Sequence, residues 1–194
     1  MKQIHNGMSR NIQDYIFKID DFLDQETCKH IVKKIKKLPW EKHSYYDSIN
    51  NTYESYDNEL SVIHGSQIPE ANIINEKLSY ALKIYLNKLN FDWYNSFTGY
   101  QPIRFNRYDK NTVMKLHCDH IHSLFDGTIK GVPVLTMLGC LNNNYKGGEL
   151  IMFDQEVIEL KAGNLLLFPS NFLFPHEVKP VLLGTRFSYV SWCW

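Results

Sequence analysis

From Phe97 to the C-terminus the chain is a succession of short strand-like runs, 97–108, 112–119, 132–142, 148–153, 164–168, 173–178 and 185–193, punctuated by Gly, Asn and Pro. Many short strands between turn signals close on one another as a sandwich or barrel, and the expectation here is a jelly roll (double-stranded β-helix). A chain of 194 residues with 44% hydrophobic content buries one good core rather than two. The expected architecture is therefore one domain over 1–194, mostly β with flanking helices. N-terminal helical support over about 1–95 would buttress a jelly-roll core over about 96–194.

The first half carries different patterns. Residues 12–19 alternate loosely and read as a strand. Asp24 is a plausible N-cap for a helix whose stripe is Cys28, Ile31, Val32, Ile35 and Leu38, ended by Pro39. Lys33, Lys34, Lys36 and Lys37 form its solvated face. Residues 41–58 are polar, Tyr-rich and aperiodic, and read as a long loop of the kind that serves as a lid or binding segment. A short strand is expected at 59–63. From Glu70 to Leu89 the residues Ile73, Ile74, Leu78, Ala81, Leu82, Tyr85, Leu86 and Leu89 make one helical stripe suited to covering a sheet face.

Composition removes several function classes. Lys+Arg and Asp+Glu are equal at 21, so the formal net charge is zero and no electrostatic footprint for nucleic acid or an anionic membrane is present. Cys28, Cys118, Cys140 and Cys193 form no CxxC pair or dense framework, which favours a reducing, cytoplasmic setting. No 18-residue apolar run is present, and the N-terminal MKQIHNGMSRNIQDYIF lacks the apolar stretch of a signal peptide.

The chemistry starts at His117-Cys118-Asp119. Side chains two apart on a strand project to the same face, so an imidazole and a carboxylate converge while Cys118 turns away. With His176, 57 positions after Asp119, they are candidate ligands for a divalent first-row metal, a facial triad that leaves three positions open. The absence of thiolates disfavours structural zinc. Arg186 follows His176 by ten residues. It lies on a strand between apolar neighbours, where an unpaired charge is costly, so it needs an anionic partner; a guanidinium grips a carboxylate through two parallel hydrogen bonds. An internal Asp or Glu would serve as that partner equally well. Alternation puts Arg186, Ser188, Val190 and Trp192 on one face and Phe187, Tyr189, Ser191 and Cys193 on the other.

FNRYDKNTVMKLHCD, YKGGELIMF, KAGNLLLFPS and PHEVKPVLLGTRFSYVSW, spanning about residues 103–194, together resemble the Fe(II)- and 2-oxoglutarate-dependent dioxygenases, in particular their prolyl 4-hydroxylase-like branch. The resemblance implies that His117, Asp119 and His176 bind Fe(II) and act in catalysis, and that Arg186 pairs with the distal carboxylate of 2-oxoglutarate. It implies further that Tyr108 hydrogen-bonds the same carboxylate and that Ser188 assists. O2 would be consumed, with ascorbate as reductant, and an unactivated C–H would be hydroxylated, foremost on a prolyl residue of a protein or peptide. A free amino acid or other small metabolite fits the same site, and a non-catalytic metal-binding jelly roll is the reading from another class. Nucleic-acid and membrane partners are not expected. Where some prolyl hydroxylases carry a Tyr before the G-G-E-L loop, the nearest equivalent here is Cys140, with Thr136 and Leu138 nearby; Asn111 replaces a turn Gly. His120 and His122 open a segment, 120–131, expected to overhang the metal and contact substrate. His5, His30, His43 and His64 read as surface or core residues, and Gly147 and Gly148 as a turn.

Overall fold

Residues of the closing strand, Arg186–Cys193, alternate between two hydrophobic cores, and the rest of the molecule is arranged around that division. The computed structural model describes residues 11–47, 50–91, 97, 99–119, 133–153 and 155–194. The first half supplies β1 (Phe17–Ile19), α1 (Gln25–Ile35), β2 (Glu41–Lys42), β3 (Tyr45–Asp47), β4 (Thr52–Glu54), β5 (Ser61–His64) and α2 (Pro69–Leu89). The second half begins with β6 (Arg104–Tyr108), β7 (Met114–His117), β8 (Leu135–Cys140), β9 (Tyr145–Gly147) and β10 (Leu150–Met152). It continues with β11 (Glu156–Ile158), β12 (Leu165–Pro169), β13 (His176–Val178), β14 (Val181–Gly184) and β15, the closing strand.

Among the described residues the major sheet runs β1-β12-β8-β15-β6-β5-β2, and a smaller sheet runs β11-β10-β13-β7. Every pairing within these sheets is antiparallel. The expected jelly roll is thus present. Its inter-sheet core holds Tyr108, Leu138, Leu150, Phe168, Val178 and Val190. On the other face of the major sheet, Phe105, Met137, Leu167, Phe187 and Tyr189 pack against α1 and α2. Gly139 belongs to this packing: a Cβ there would fall 2.0 Å from the Tyr189 ring, which lies directly across the ladder.

Both helices form where the apolar spacing placed them. Asp24 caps α1, its Oδ1 accepting from the Thr27 N–H at 2.7 Å. Pro69 opens α2, and Asn90 closes it at φ +49° in the left-handed region. Two stripe residues differ from expectation. Leu38 lies past the end of α1 and is exposed, and Ile73 sits on the outer edge of α2.

The first half departs from expectation in three further ways. Residues 12–19 are not one strand. Asn11 Oδ1 caps a 3-10 turn over Ile12–Tyr15, and only Phe17–Ile19 pair as a strand, against β12. Residues 41–58 are not one loop. β2 pairs with β5, and β3 and β4 form a ribbon with Tyr45 opposite Glu54. That ribbon belongs to neither large sheet, so neither face must be apolar and no period-2 pattern appears. Asn51, at φ +53°, supplies the left-handed residue before β4. Finally, β1, β2 and β5 join the major sheet, so the N-terminal part contributes strands as well as buttressing helices. Segment 120–131, with His120 and His122, lies outside the described residues, as does His5. No helix among the described residues is long and apolar enough to cross a membrane.

Candidate active site

The register of the smaller sheet sets His176 directly opposite His117. Strand β7 ends at His117, so Asp119 lies past the strand rather than on it. A bend at that point still delivers the carboxylate to the imidazoles. Asp119 Oδ1 is 3.3 Å from His117 Nε2 and 3.7 Å from His176 Nε2. One donor atom from each of the three residues lies within 4.8 Å of the other two. Each imidazole is oriented from behind: His117 Nδ1 lies 2.7 Å from the Lys115 carbonyl and His176 Nδ1 lies 3.1 Å from the Phe174 carbonyl. With Nδ1–H donating, both Nε2 lone pairs face the common point, the arrangement a metal-binding imidazole requires. Phe168 packs edge-on against His176, 5.0 Å between centroids.

Asp119 is buried, and Thr136 Oγ1 donates to its Oδ2 at 2.6 Å, while Ser170 Oγ lies 2.8 Å from Thr136. Burial alone would raise this carboxyl. The two imidazoles and the Thr136 hydroxyl outweigh it and hold Asp119 well below the usual carboxylate range. Burial also acts against protonation of both imidazoles. For His117 the Asp119 carboxylate prevails and the imidazole is raised; for His176 burial prevails and it is lowered. The set offers two imidazoles and one ionised carboxylate with open space beside them, which suits a divalent ion of the Fe(II) class.

Arg186, the second element expected from the sequence, opens β15 opposite Tyr108. It is 1% exposed. Its guanidinium lies over the Tyr108 ring, 4.9 Å from the centroid, and Nη1 donates to Ser188 Oγ at 3.2 Å. Its Nε has no partner, and no carboxylate among the described residues pairs with it. The internal Asp or Glu that would have explained Arg186 as a structural ion pair is therefore missing among the described residues. Gly148, at φ +66°, leaves room for the side chain; a Cβ there would approach Arg186 Cδ to 3.2 Å. Gly147 and Gly148 make the expected turn, both at positive φ. Between Tyr108 and the triad lies a cavity of about 30 Å³, walled by Leu138, Leu150 and Val190. Tyr145 completes the surroundings of Arg186, and its hydroxyl is 3.8 Å from Cys140 Sγ. β9 thus brings a phenol close to Cys140, the position the sequence analysis singled out as lacking one.

On the outer side of the triad a cavity of about 370 Å³ runs from His117 and Asp119 to Tyr45, Tyr53 and Tyr56 around the β3–β4 ribbon. Three groups in its wall escaped sequence reasoning. His43 and Glu59 are both buried and contact each other, Nδ1 to Oε2 at 3.2 Å. Arg104 stacks on Trp192, its Cζ 4.7 Å from the ring. Arg104 could have been found by the argument applied to Arg186: it too is a cation between apolar strand neighbours, Ile103 and Phe105.

Comparison with known proteins agrees with this geometry. Residues 103–194 match the family model of the 2OG-Fe(II) oxygenase superfamily. A PKHD-type hydroxylase of Shewanella baltica is 39% identical over 97 residues, covering 48% of this chain and 42% of the relative. Another, from Janthinobacterium sp., is 29% identical over 140 residues, 65% of this chain and 58% of the relative. The chain thus spans about half the length of the curated relatives it matches. Among solved structures, a prolyl hydroxylase from Trichoplax adhaerens in complex with a hypoxia inducible factor fragment has a TM-score of 0.69 at 19% identity, covering 93% of this chain and 84% of that one. A Pseudomonas putida prolyl-4-hydroxylase has a TM-score of 0.66 at 18% identity, covering 92% of each chain. These likenesses establish a shared fold. The part of the chain that matches the 2OG-Fe(II) oxygenase model, residues 103–194, is the part that holds all three converging side chains and Arg186.

Proposed function

We propose that the protein is an Fe(II)- and 2-oxoglutarate-dependent dioxygenase that hydroxylates an unactivated C–H, on a prolyl residue of a protein or peptide. The observation that carries this reading is the convergence of His117, Asp119 and His176 on a small cavity also walled by Tyr108, with the guanidinium of Arg186, which lacks a carboxylate, lying over the Tyr108 ring. His117, Asp119 and His176 would hold the ferrous ion. Arg186 would take the distal carboxylate of 2-oxoglutarate, with Ser188 fixing the guanidinium and the Tyr108 ring backing it. When bound, the ion and cosubstrate supply O2 activation coupled to decarboxylation of 2-oxoglutarate to succinate, with ascorbate as reductant.

The protein's own part is position and exclusion of water. Lys115 and Phe174 carbonyls fix the imidazole tautomers, and Thr136 fixes the carboxylate. Leu138, Leu150 and Val190 exclude water from the inner cavity. At about 30 Å³ that cavity holds about one or two waters, so its walls must separate to admit a five-carbon diacid. The prolyl target is the one named for the solved structures that share this fold, while the curated relatives are named only as hydroxylases. No disulfide joins the four cysteines, which supports assignment to the reducing cytoplasm. We take 1–194 to act as one domain.

The test is incubation of purified protein with Fe(II), ascorbate, 2-oxoglutarate and proline-containing peptides, with succinate measured. Succinate formation that depends on peptide, and is lost in His117→Ala, supports the reading. Failure to bind 2-oxoglutarate overturns it. Binding of 2-oxoglutarate without succinate formation on any substrate class would mark a metal-binding module instead.

A further inference from the structure

Arg104 is a second cation for which the proposed chemistry has no use. It projects from β6 on the same face as Asn106 and Tyr108 and lines both the inner and the outer cavity. Trp192 stacks beneath its guanidinium, and Nε donates to Asn106 Oδ1 at 3.1 Å. These contacts fix the plane but leave both Nη groups without an acceptor among the described residues. No carboxylate among them lies within ion-pair distance either. Arg107, on the opposite face of the same strand, shows the contrast: it is paired with Asp109 at 2.8 Å.

The charges around Arg104 do not neutralise it. Asp119 is committed to the two imidazoles. Glu59 is committed to His43, whose Nδ1 lies 3.2 Å from its Oε2, and is not within ion-pair distance of Arg104. Lys115, whose Nζ lies 3.6 Å from the Tyr56 ring centroid, adds a further positive charge at the rim. In the loaded centre a divalent ion, Asp119, a dianionic cosubstrate and Arg186 cancel. The outer cavity then keeps an excess of positive charge, centred on a fixed guanidinium beside the open side of the triad. A half-buried guanidinium whose two Nη groups lack an acceptor is a ready site for a ligand's anion.

Resting on the dioxygenase reading, we infer that Arg104 binds a carboxylate of the primary substrate, so that the carbon to be hydroxylated belongs to a carboxylate-bearing molecule. That carboxylate has two sources: the free α-carboxylate of an amino acid or chain terminus, or an acidic side chain next to the target residue.

The experiment is calorimetric titration of the protein loaded with Mn(II) and 2-oxoglutarate, using two probe pairs. N-acetyl-L-proline against N-acetyl-L-prolinamide reports a terminal carboxylate. Acetyl-Pro-Asp-amide against acetyl-Pro-Asn-amide reports a side-chain one. A hydrogen-bonded charge pair predicts that the acid of one pair binds about ten- to a hundredfold tighter than its amide. Arg104→Gln should bring the two within twofold while 2-oxoglutarate affinity is kept, and Arg104→Lys should retain part of the preference. Equal affinity of acid and amide in both pairs, or no saturable binding of any probe, overturns the inference. So does an Arg104→Gln variant that loses 2-oxoglutarate as strongly as the acid probe, because Arg104 would then serve the cosubstrate. Wild-type protein that prefers the acid but binds no 2-oxoglutarate defeats the dioxygenase reading and leaves the anion site standing.

Discussion

Successive residues of β15 meet opposite environments. Phe187, Tyr189 and Cys193 enter the core beneath α1 and α2, where the buried cluster is almost wholly apolar. Arg186, Ser188 and Trp192 face the space between the sheets, where Asn106, Asp119, Thr136, Ser170 and His176 are also buried. The strand and its ladder partners are the same for both; only the parity differs. One face supplies apolar burial and hence stability. The other holds buried charge that weakens the fold when no ligand is present. The difference teaches that this fold keeps a polar site dry by placing it one residue out of phase with its strongest packing.

Substitutions on the two faces should therefore fail differently. The largest effect is expected from Asp119→Ala. Turnover should fall by more than about 4 kcal/mol in activation free energy, a thousandfold, measured on protein held below its unfolding midpoint. Phe187→Ala, one position away from Arg186 but on the helix face, should cost about 3–5 kcal/mol of stability. Measured below its lowered midpoint, it should keep its affinity for 2-oxoglutarate. If Phe187→Ala instead removed cosubstrate binding from folded protein, the division between the faces would be wrong. Arg186→Ala should weaken 2-oxoglutarate by about ten- to a hundredfold, read by titration of Mn(II)-loaded protein. An unchanged affinity contradicts its assignment. Thr136→Val removes the hydrogen bond behind Asp119 and should lower metal affinity by about tenfold, as loss of an orienting partner does.

The helix stripes, the run of short strands and the parity of β15 could all be read from the chain, because each depends on a local period. The triad and Arg186 were legible because distinctive residue types stand at distinctive spacings. What escaped notice depends on partners distant in sequence. Thr136 supports Asp119 only because β8 faces the smaller sheet, and Tyr145 reaches Arg186 only because β9 folds back beneath it. The β3–β4 ribbon was hidden for another reason: it covers no core, so burial imposes no alternation on it. Arg104 was legible in principle, as a charge between Ile103 and Phe105, and lacked only a motif to draw attention to it.

The smallest expected effect concerns His43 and Glu59, and it tests whether the inter-sheet side carries a stability cost of its own. Burial lowers His43 from its ordinary 6.5 to about 3, with the nearby Arg104 and His117 adding to the shift. As pH falls below 6.5 the unfolded chain takes up a proton that the native state refuses, so His43 makes stability fall with acidification down to about pH 3. Glu59 is raised above its ordinary 4.5, again by burial. Just above 4.5 the native state therefore holds a proton that the unfolded chain has released, which has the opposite sign and offsets His43. Below about 4.5 Glu59 is protonated in both states and His43 acts alone. Denaturant unfolding of wild-type protein should thus show an extra loss, on the order of 1 kcal/mol, between about pH 4.5 and 3 that the His43→Gln/Glu59→Gln variant lacks. Parallel pH profiles for the two proteins would show that this pair titrates alike folded and unfolded, and that the polar side is less desolvated than its geometry implies.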